Sequence, residues 1–330
     1  MNKNAVQKIV LLSLAAVLLF VYILQVSLGN KSKTYTISTK DEITSIVFYT
    51  GTNQSNAITL NKNGDDYTVS SAGSSETYSA SSSSASSLFD NMKDIHILGN
   101  AAKLSSSNEE RFGLDSNSRI TVAVKSGDKT IRTVYIGKNS STGTQSYLTV
   151  DDSNQILICS KSMHTIYATT LDNLRSKDVY GVADDSITQI TVNKDGESFT
   201  LTKTTKAPDT QVNDENSEGI SIPESTWVIS NSQESAQQEA VSEWATYIST
   251  LNAISWVDEK TFNQPVTQAG SLSFISNGIT YSVQFFEIED NEDQFLCSAN
   301  VTPYRFYVSK YVAQKFLKSI SDITTGGEDD

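Results

Sequence analysis

The sequence predicts an α+β protein: a single N-terminal transmembrane helix, then two repeated, mostly antiparallel β units with two helices each. Three observations carry this expectation. Residues Ile9–Leu28 run without a formal charge. At about 1.5 Å per residue such a helix spans roughly 30 Å, a bilayer's hydrocarbon core. Beyond them, short runs of β-branched and aromatic residues alternate with polar ones and end in Asn-Gly, Asp-Gly or Gly-Asp turns, the mark of hairpins. The order strands, helix, strands, helix then occurs twice.

The apolar stretch sets the first boundaries. Lys3 and Lys8 lie in a short tail, residues 1–8, and residues 29–40 form a polar stalk. The apolar core exceeds the 7–15 residues usual for a cleaved signal, and Val26–Asn30 contains no A-x-A site. An uncleaved anchor is the preferred reading, with a cleaved signal and a buried helix as alternatives. Lys3 and Lys8 before the span are balanced by Lys31, Lys33 and Lys40 after it, so loop charge does not orient it. The body does. Residues 1–40 hold five Lys and no acid, leaving 20 basic and 38 acidic residues beyond them. A long acidic Ser/Thr-rich body after a signal-like segment is expected outside the cytoplasm, at the cell membrane, with the bilayer as the partner of residues 9–28.

Composition excludes several functions. A net charge of −13 opposes binding to nucleic acid, which rewards Lys/Arg patches. Cys159 and Cys297 form neither a disulfide framework nor a metal pattern; burial as free thiols is expected, a bridge between them being the alternative. His96 and His164 are the chain's only histidines and leave little for zinc or Ser–His chemistry.

The first unit is expected over 41–181. Ile43–Tyr49 reads as a strand. Ile58 and Leu60, then Tyr67 and Val69, flank Asn63-Gly64 as a hairpin with a type I′ turn. Ser81–Ser84 open a helix over about 85–94, with Ala85, Leu88, Phe89, Met92 and Ile95 on one face. His96 falls just past its end. Strands resume at Ile120–Val124 and return over Thr130–Ile136. Tyr147–Val150 and Gln155–Cys159 form a hairpin around Asp151-Asp152-Ser153-Asn154, which lacks the EF-hand glycine and distal glutamate and reads as a solvated turn. Met163, Ile166, Tyr167, Leu171 and Leu174 share one face of a second helix.

The second unit is expected over 182–323. Ile187–Val192 echoes Ile43–Val47, and Asp195-Gly196 turns the chain. Residues 207–224, with Pro208, Pro223 and five acids, read as a flexible acidic insertion. Trp227-Val228-Ile229 takes the place of Tyr67-Thr68-Val69. Asn231 with Glu234 resembles a capping box, and Val241, Trp244, Ala245, Ile248 and Leu251 face inward on a helix ending near Asn252. Leu272–Ile275 and Ile279–Phe286 form a hairpin around Asn277-Gly278. Glu287, Glu289, Asp290, Glu292 and Asp293 crowd the next turn; a solvated tip is preferred over an acid–base or cation site. Tyr304–Val308 is a strand, and Ser309 caps a last helix before the acidic tail 324–330. Ile43 and Ile187 stand 144 residues apart, Ser160 and Ser309 149 apart. Offsets so close argue for duplication.

Phe112-Gly113-Leu114-Asp115, Ile120–Val124, Ile136-Gly137, Tyr147, Leu174–Val179 and Trp227–Ile229 together resemble the bacterial domain-of-unknown-function family 4340. The resemblance covers most of residues 40–323. Where the family usually carries proline after Gly-Leu-Asp, this chain has Ser118 or a neighbour. The resemblance implies a membrane-anchored, repeated β-rich protein often associated with ABC-type transporters, with their permease or ATPase subunits as partners. It carries over no catalytic, cofactor or metal residue, and none is assigned. The expected function is that of an extracytoplasmic accessory protein that binds rather than catalyses. The alternative is a module for glycan, peptide or cation in a groove between the repeats.

Overall fold

The computed structural model describes residues 17–21, 34–205, 225–230 and 235–324. It is mostly antiparallel β with helices packed on the sheets, and it divides into two compact units, residues 1–176 and 177–330. The separation falls before Asp178–Gly181, a strand that pairs inside the second unit. Residues 17–21 are helical, and the rest of Ile9–Leu28 lies outside the described residues, as do residues 206–224, the Asn231/Glu234 pair and residues 325–330. No helix among the described residues is long and apolar enough to cross a membrane.

The first unit is built from β1 (Tyr35–Ser38), β2 (Ser45–Thr50), β3 (Ile58–Asn63), β4 (Asp66–Ser71), β5 (Thr77–Ser79), α1 (Ser82–Lys93), β6 (Asp94–Lys103), α2 (Ser106–Phe112), β7 (Ile120–Ser126), β8 (Lys129–Asn139), β9 (Ser146–Val150), β10 (Gln155–Cys159), α3 (Met163–Tyr167) and α4 (Leu171–Leu174). Its ten strands form one sheet in the order β1-β6-β10-β9-β8-β7-β2-β3-β4-β5. Side chains alternate across it. Ile46, Phe48, Leu60, Val122, Val134, Ile136 and Leu148 point to one face and are buried there with Ala85, Leu88, Phe89 and Met92 of α1. Burying each of the large side chains contributes about 1.5–3 kcal/mol. The Ser81 hydroxyl caps α1 by accepting from Ser84 N–H. At the other end the buried Arg132 guanidinium donates to the Met92 carbonyl at 2.6 Å, and burial lowers its pKa. Tyr167 of α3 donates to the Leu88 carbonyl at 2.6 Å and so ties the two helices together.

The second unit holds β11 (Asp178–Gly181), β12 (Ile187–Lys194), β13 (Glu197–Thr205), β14 (Ser225–Ile229), α5 (Gln238–Ile248), β15 (Thr250–Asn252), β16 (Ser255–Trp256), β17 (Val266–Ser276), β18 (Ile279–Ile288), β19 (Asn291–Ala299), β20 (Phe306–Ser309), α6 (Lys310–Phe316) and α7 (Ser321–Thr324). Its main sheet runs, from one edge, β16-β20-β19-β18-β17-β12-β13-β14. This matches β6-β10-β9-β8-β7-β2-β3-β4 strand for strand. The match extends to the edge: β1 pairs with β6, and β11 pairs with β15, the strand just before β16. What is one strand in the first unit is interrupted in the second at Ala253–Ile254. In both units a helix follows the fourth matched strand in the chain and another follows the last.

Several details differ from expectation. Each unit has more than two helices among the described residues. The second helix of the first unit is two short ones, because the Thr170 hydroxyl starts a new cap by accepting from Asn173 N–H. The last helix likewise breaks into α6 and α7. Ser309 does cap α6, accepting from Val312 N–H. α5 ends at Ile248 rather than near Asn252, since residues 250–252 leave it to pair with β11. Part of the expected stalk is β1. The β3–β4 turn is centred on Gly64-Asp65, with Asn63 paired to Asp66; φ is positive at Gly64 and not at Asp65, so the turn is not type I′. Asp195-Gly196 (φ 52° and 81°) and Asn277-Gly278 (φ 51° and 77°) are positive at both positions, as type I′ requires.

The matched hairpins suggest a direct test. Asn63 and Asp66 close β3–β4 over two residues, while the equivalent closing pair in the second unit is Thr205 and Ser225. Replacing residues 206–224 with Gly-Asp should preserve the second unit and raise its stability by up to about 2 kcal/mol through the shorter closure. Urea unfolding followed by fluorescence of Trp227, Trp244 and Trp256, all in that unit, measures it. Loss of the cooperative transition would show that the link does more than connect.

Candidate functional site

The ionisable groups singled out in the sequence do not converge. His96 is exposed on β6, its Nδ1 2.7 Å from the Thr36 hydroxyl. His164 lies on α3. Cys159 and Cys297 are free and buried in different units, and burial raises both thiol pKa values. Asp151 is spent on structure: its φ is 50°, and its carboxylate accepts from Thr133 N–H of β8 at 2.7 Å. The Glu287–Asp293 cluster sits on the β18–β19 turn, where Asn291 Oδ1 accepts from the Asp293 and Gln294 N–H groups. Among the described residues no three His, Cys, Asp or Glu are placed to hold a metal.

The Phe-Gly-Leu-Asp segment, by contrast, is assembled tightly. It closes α2 and lies on the sheet face opposite α1. Gly113 takes the left-handed conformation (φ 69°) as the helix C-cap, a position that favours glycine. Phe112 and Leu114 are buried with Ile156 and pack against Tyr135 and Tyr147; the Phe112 and Tyr147 rings are 4.5 Å apart. Backbone meets backbone at β8: a Cβ on Gly137 would stand 2.3 Å from the Phe112 carbonyl oxygen. Asp115 then folds the chain toward β7. Its carboxylate accepts from Asn117 N–H at 3.1 Å, and the Ser118 hydroxyl together with these backbone groups holds its pKa below the usual carboxylate value. Ser118 thus supplies a hydrogen bond at this corner. The Arg119 guanidinium stacks 4.1 Å from the Tyr135 ring centroid.

Leu174–Ser176 forms a second such join. Ser81 N–H donates to Leu174 O and Ser176 N–H to Ser79 O, both at 2.8 Å. Arg175, buried, lies 4.0 Å over the Tyr78 ring. In the second unit Trp227 is fixed by one side chain: Gln238 Oε1 accepts from its N–H at 2.6 Å and Gln238 Nε2 donates to its carbonyl at 3.0 Å. This ties α5 to β14, an edge strand of that sheet.

A family model described as domain of unknown function DUF4340 matches residues 72–265, more than half of the chain and all of these segments. The chain belongs to the DUF4340 family. The match is narrower than the 40–323 expected: it begins after β4 and ends just before β17. No curated protein and no solved structure matches the chain. Within the matched range, the Phe112–Asp115 and Leu174–Ser176 segments seat turns and helix ends on the sheet.

The second unit also carries a cleft of about 450 Å³. It lies largely beyond the DUF4340 match, between the β12–β13 turn, the start of β17 and α6. A bulge between Gln268 and Gly270 shifts the β17–β18 register there and opens the sheet toward the helix. Ala269, Phe295, Ala313 and Leu317 give it an apolar floor; Lys194, Gln268, Glu287, Lys310 and Gln314 give it a polar rim. Sequence reading placed Glu287 only in a charged tip and missed the others. A turn, a bulge and a helix from three distant stretches meet here; the Asp195-Gly196 turn and the Ser309-capped helix announced themselves, the bulge did not.

Two outcomes follow for the DUF4340 segment. Gly137→Ala should cost about 1–3 kcal/mol by overpacking, lowering the urea midpoint seen by far-UV circular dichroism, with the three second-unit tryptophans as internal control. An unchanged midpoint would mean that the Phe112 backbone yields freely. Asp115 carries a depressed pKa in the folded state, so its contribution is present above the ordinary value of 3.8 and fades as pH falls through the lower folded value. Wild type should therefore exceed Asp115→Asn in stability at pH 7 and lose that advantage below about pH 4. A difference independent of pH would count against the carboxylate.

Proposed function

We propose that this DUF4340 protein is a membrane-tethered, extracytoplasmic accessory protein that acts by binding, and that its partners are subunits of an ABC-type transport system. The carrying observation is the pairing of one charge-free N-terminal stretch, Ile9–Leu28, with two β units of matching strand order. A tether supplies effective concentration at the membrane, so modest contacts suffice for association. Two like-built units offer two surfaces on one tether. The acidic body, 38 acids against 25 bases in the whole chain, repels anionic lipid and nucleic acid and favours a protein partner. The transporter assignment rests on the family resemblance in the segments around Phe112–Asp115 and Leu174–Val179. The Phe112–Asp115 and Leu174–Ser176 segments inside that match are spent on turns and helix ends, which favours a scaffold over a catalyst.

Affinity purification of the intact chain from mildly cross-linked membranes should recover an ABC permease or ATPase. Recovery should drop at least tenfold when residues 1–28 are exchanged for a cleavable signal. Recovery of neither subunit under conditions that hold known transporter complexes together would overturn the proposal.

A further inference from the structure

The main sheet of the second unit has one face under its helices and one turned outward. Ile190, Val192, Leu201, Leu272, Phe274 and Val283 point into the core, so the pleat sends their neighbours the other way. Strand register places Thr200, Thr191, Ser273 and Ser282 in one row across β13, β12, β17 and β18. Asn193, Ser271 and Gln284 stand in the next row. Over residues 189–193, 198–204, 271–275 and 280–284 every outward side chain is Ser, Thr, Asn or Gln, except Ile275. None is charged and none is aromatic, in a chain with 19% charged residues. All of them are exposed or half-buried. Neighbours hold one another in place: the Thr191 and Thr200 hydroxyls are 2.9 Å apart, and Asn193 Nδ2 donates to Ser271 Oγ at 3.2 Å. Soluble surfaces carry interspersed charge, whereas the centres of interfaces are depleted of it. The first unit lays α2 over part of its outward face; the second has no helix between β16 and β17.

We propose that this face is a contact between two copies of the chain, packed sheet on sheet about a two-fold axis. Charge selects the occupant. Two chains of net charge −13 repel each other, and they meet at short range most readily where neither presents an ion. Hydroxyl and primary amide groups both donate and accept, so the face complements itself, as a two-fold contact requires. Its mostly short side chains give up less rotamer freedom than Lys or Glu would. A sugar finds no ring here to stack on, and a charged ligand finds no counter-ion. The area fits a weak pair. Five strands about 4.8 Å apart, each with three outward residues about 7 Å apart, span roughly 24 by 20 Å. Two such faces bury about 1,000 Å² together, the lower bound for a specific contact. The inference stands apart from the transporter reading, since its surface comes from the second unit alone and needs no other protein.

The test is sedimentation equilibrium of the full chain in density-matched detergent. Wild type is compared with an acidic variant, Asn193→Asp/Gln284→Glu, and a basic one, Asn193→Lys/Gln284→Lys. Both positions are exposed, so both variants should unfold at the urea concentration of wild type. The expected result is a concentration-dependent dimer for wild type and at least tenfold weaker association for each variant alone. An equimolar mixture of the two variants should regain the dimer, because opposite charges then face each other across the axis. A wild type that stays monomeric throughout would overturn the proposal. So would variants that associate as wild type does, which would assign the contact to another surface, and a mixture no tighter than its components. If either variant unfolds early, Ser273→Asp and Ser273→Lys replace the pair, with the same outcomes.

Discussion

A wide antiparallel sheet has two faces, and an exposed apolar face is unstable in water; covering it is the constraint on which each unit of this protein depends. Both units meet it the same way. The chain lays down five strands in the first unit and four in the second, crosses over as a helix, and returns to finish the sheet. α1 does this in the first unit with Ala85, Leu88, Phe89 and Met92, and α5 in the second with Val241, Trp244, Ala245 and Ile248. The helix after the last strand then packs beside the first, through the Tyr167–Leu88 hydrogen bond in one case and the Tyr247–Phe316 rings in the other. Strand order, helix placement and core are one solution used twice.

The two units diverge where that solution leaves freedom. The first covers its second face with α2 and the Phe-Gly-Leu-Asp turn, which is why Gly137 must lack a side chain. The second has no helix in the equivalent link and fills it with residues 257–265, where Arg305 is held over Phe262 and to Glu259. It opens a cleft on its helical side instead. The result is a pair of units that share a strand order and differ in local chemistry.

Much of this frame was legible. The Asp195-Gly196 and Asn277-Gly278 turns, the face of α1 and the Ser309 cap all depend on local chemistry, and local chemistry is what a sequence displays. The two-fold recurrence of elements was legible too, since Ile43–Val47 and Ile187–Val192 carry it in like residues. β6 was not read as a strand, although Ile95 and Ile97 alternate at its start, because Ile95 also continues the periodicity of α1 by one more turn. α2 was hidden in a polar run, Ser105–Arg111, whose only large apolar residue is Phe112 at its end. The cleft as a whole could not be read: its residues lie up to 123 positions apart, from Lys194 to Leu317, and a β-bulge has no reliable signature.

The burial of both thiols has a practical side. Cys159 and Cys297 are the chain's only cysteines; both are buried, and burial suppresses the reactive thiolate at each. The folded molecule therefore presents a surface blank to thiol reagents. A cysteine introduced at Ser55 or at Ser198, exposed positions in the first and second unit, would be the single attachment point for a spin label or a dye. A doubly labelled chain would turn the separation of the two units into a spectroscopic ruler.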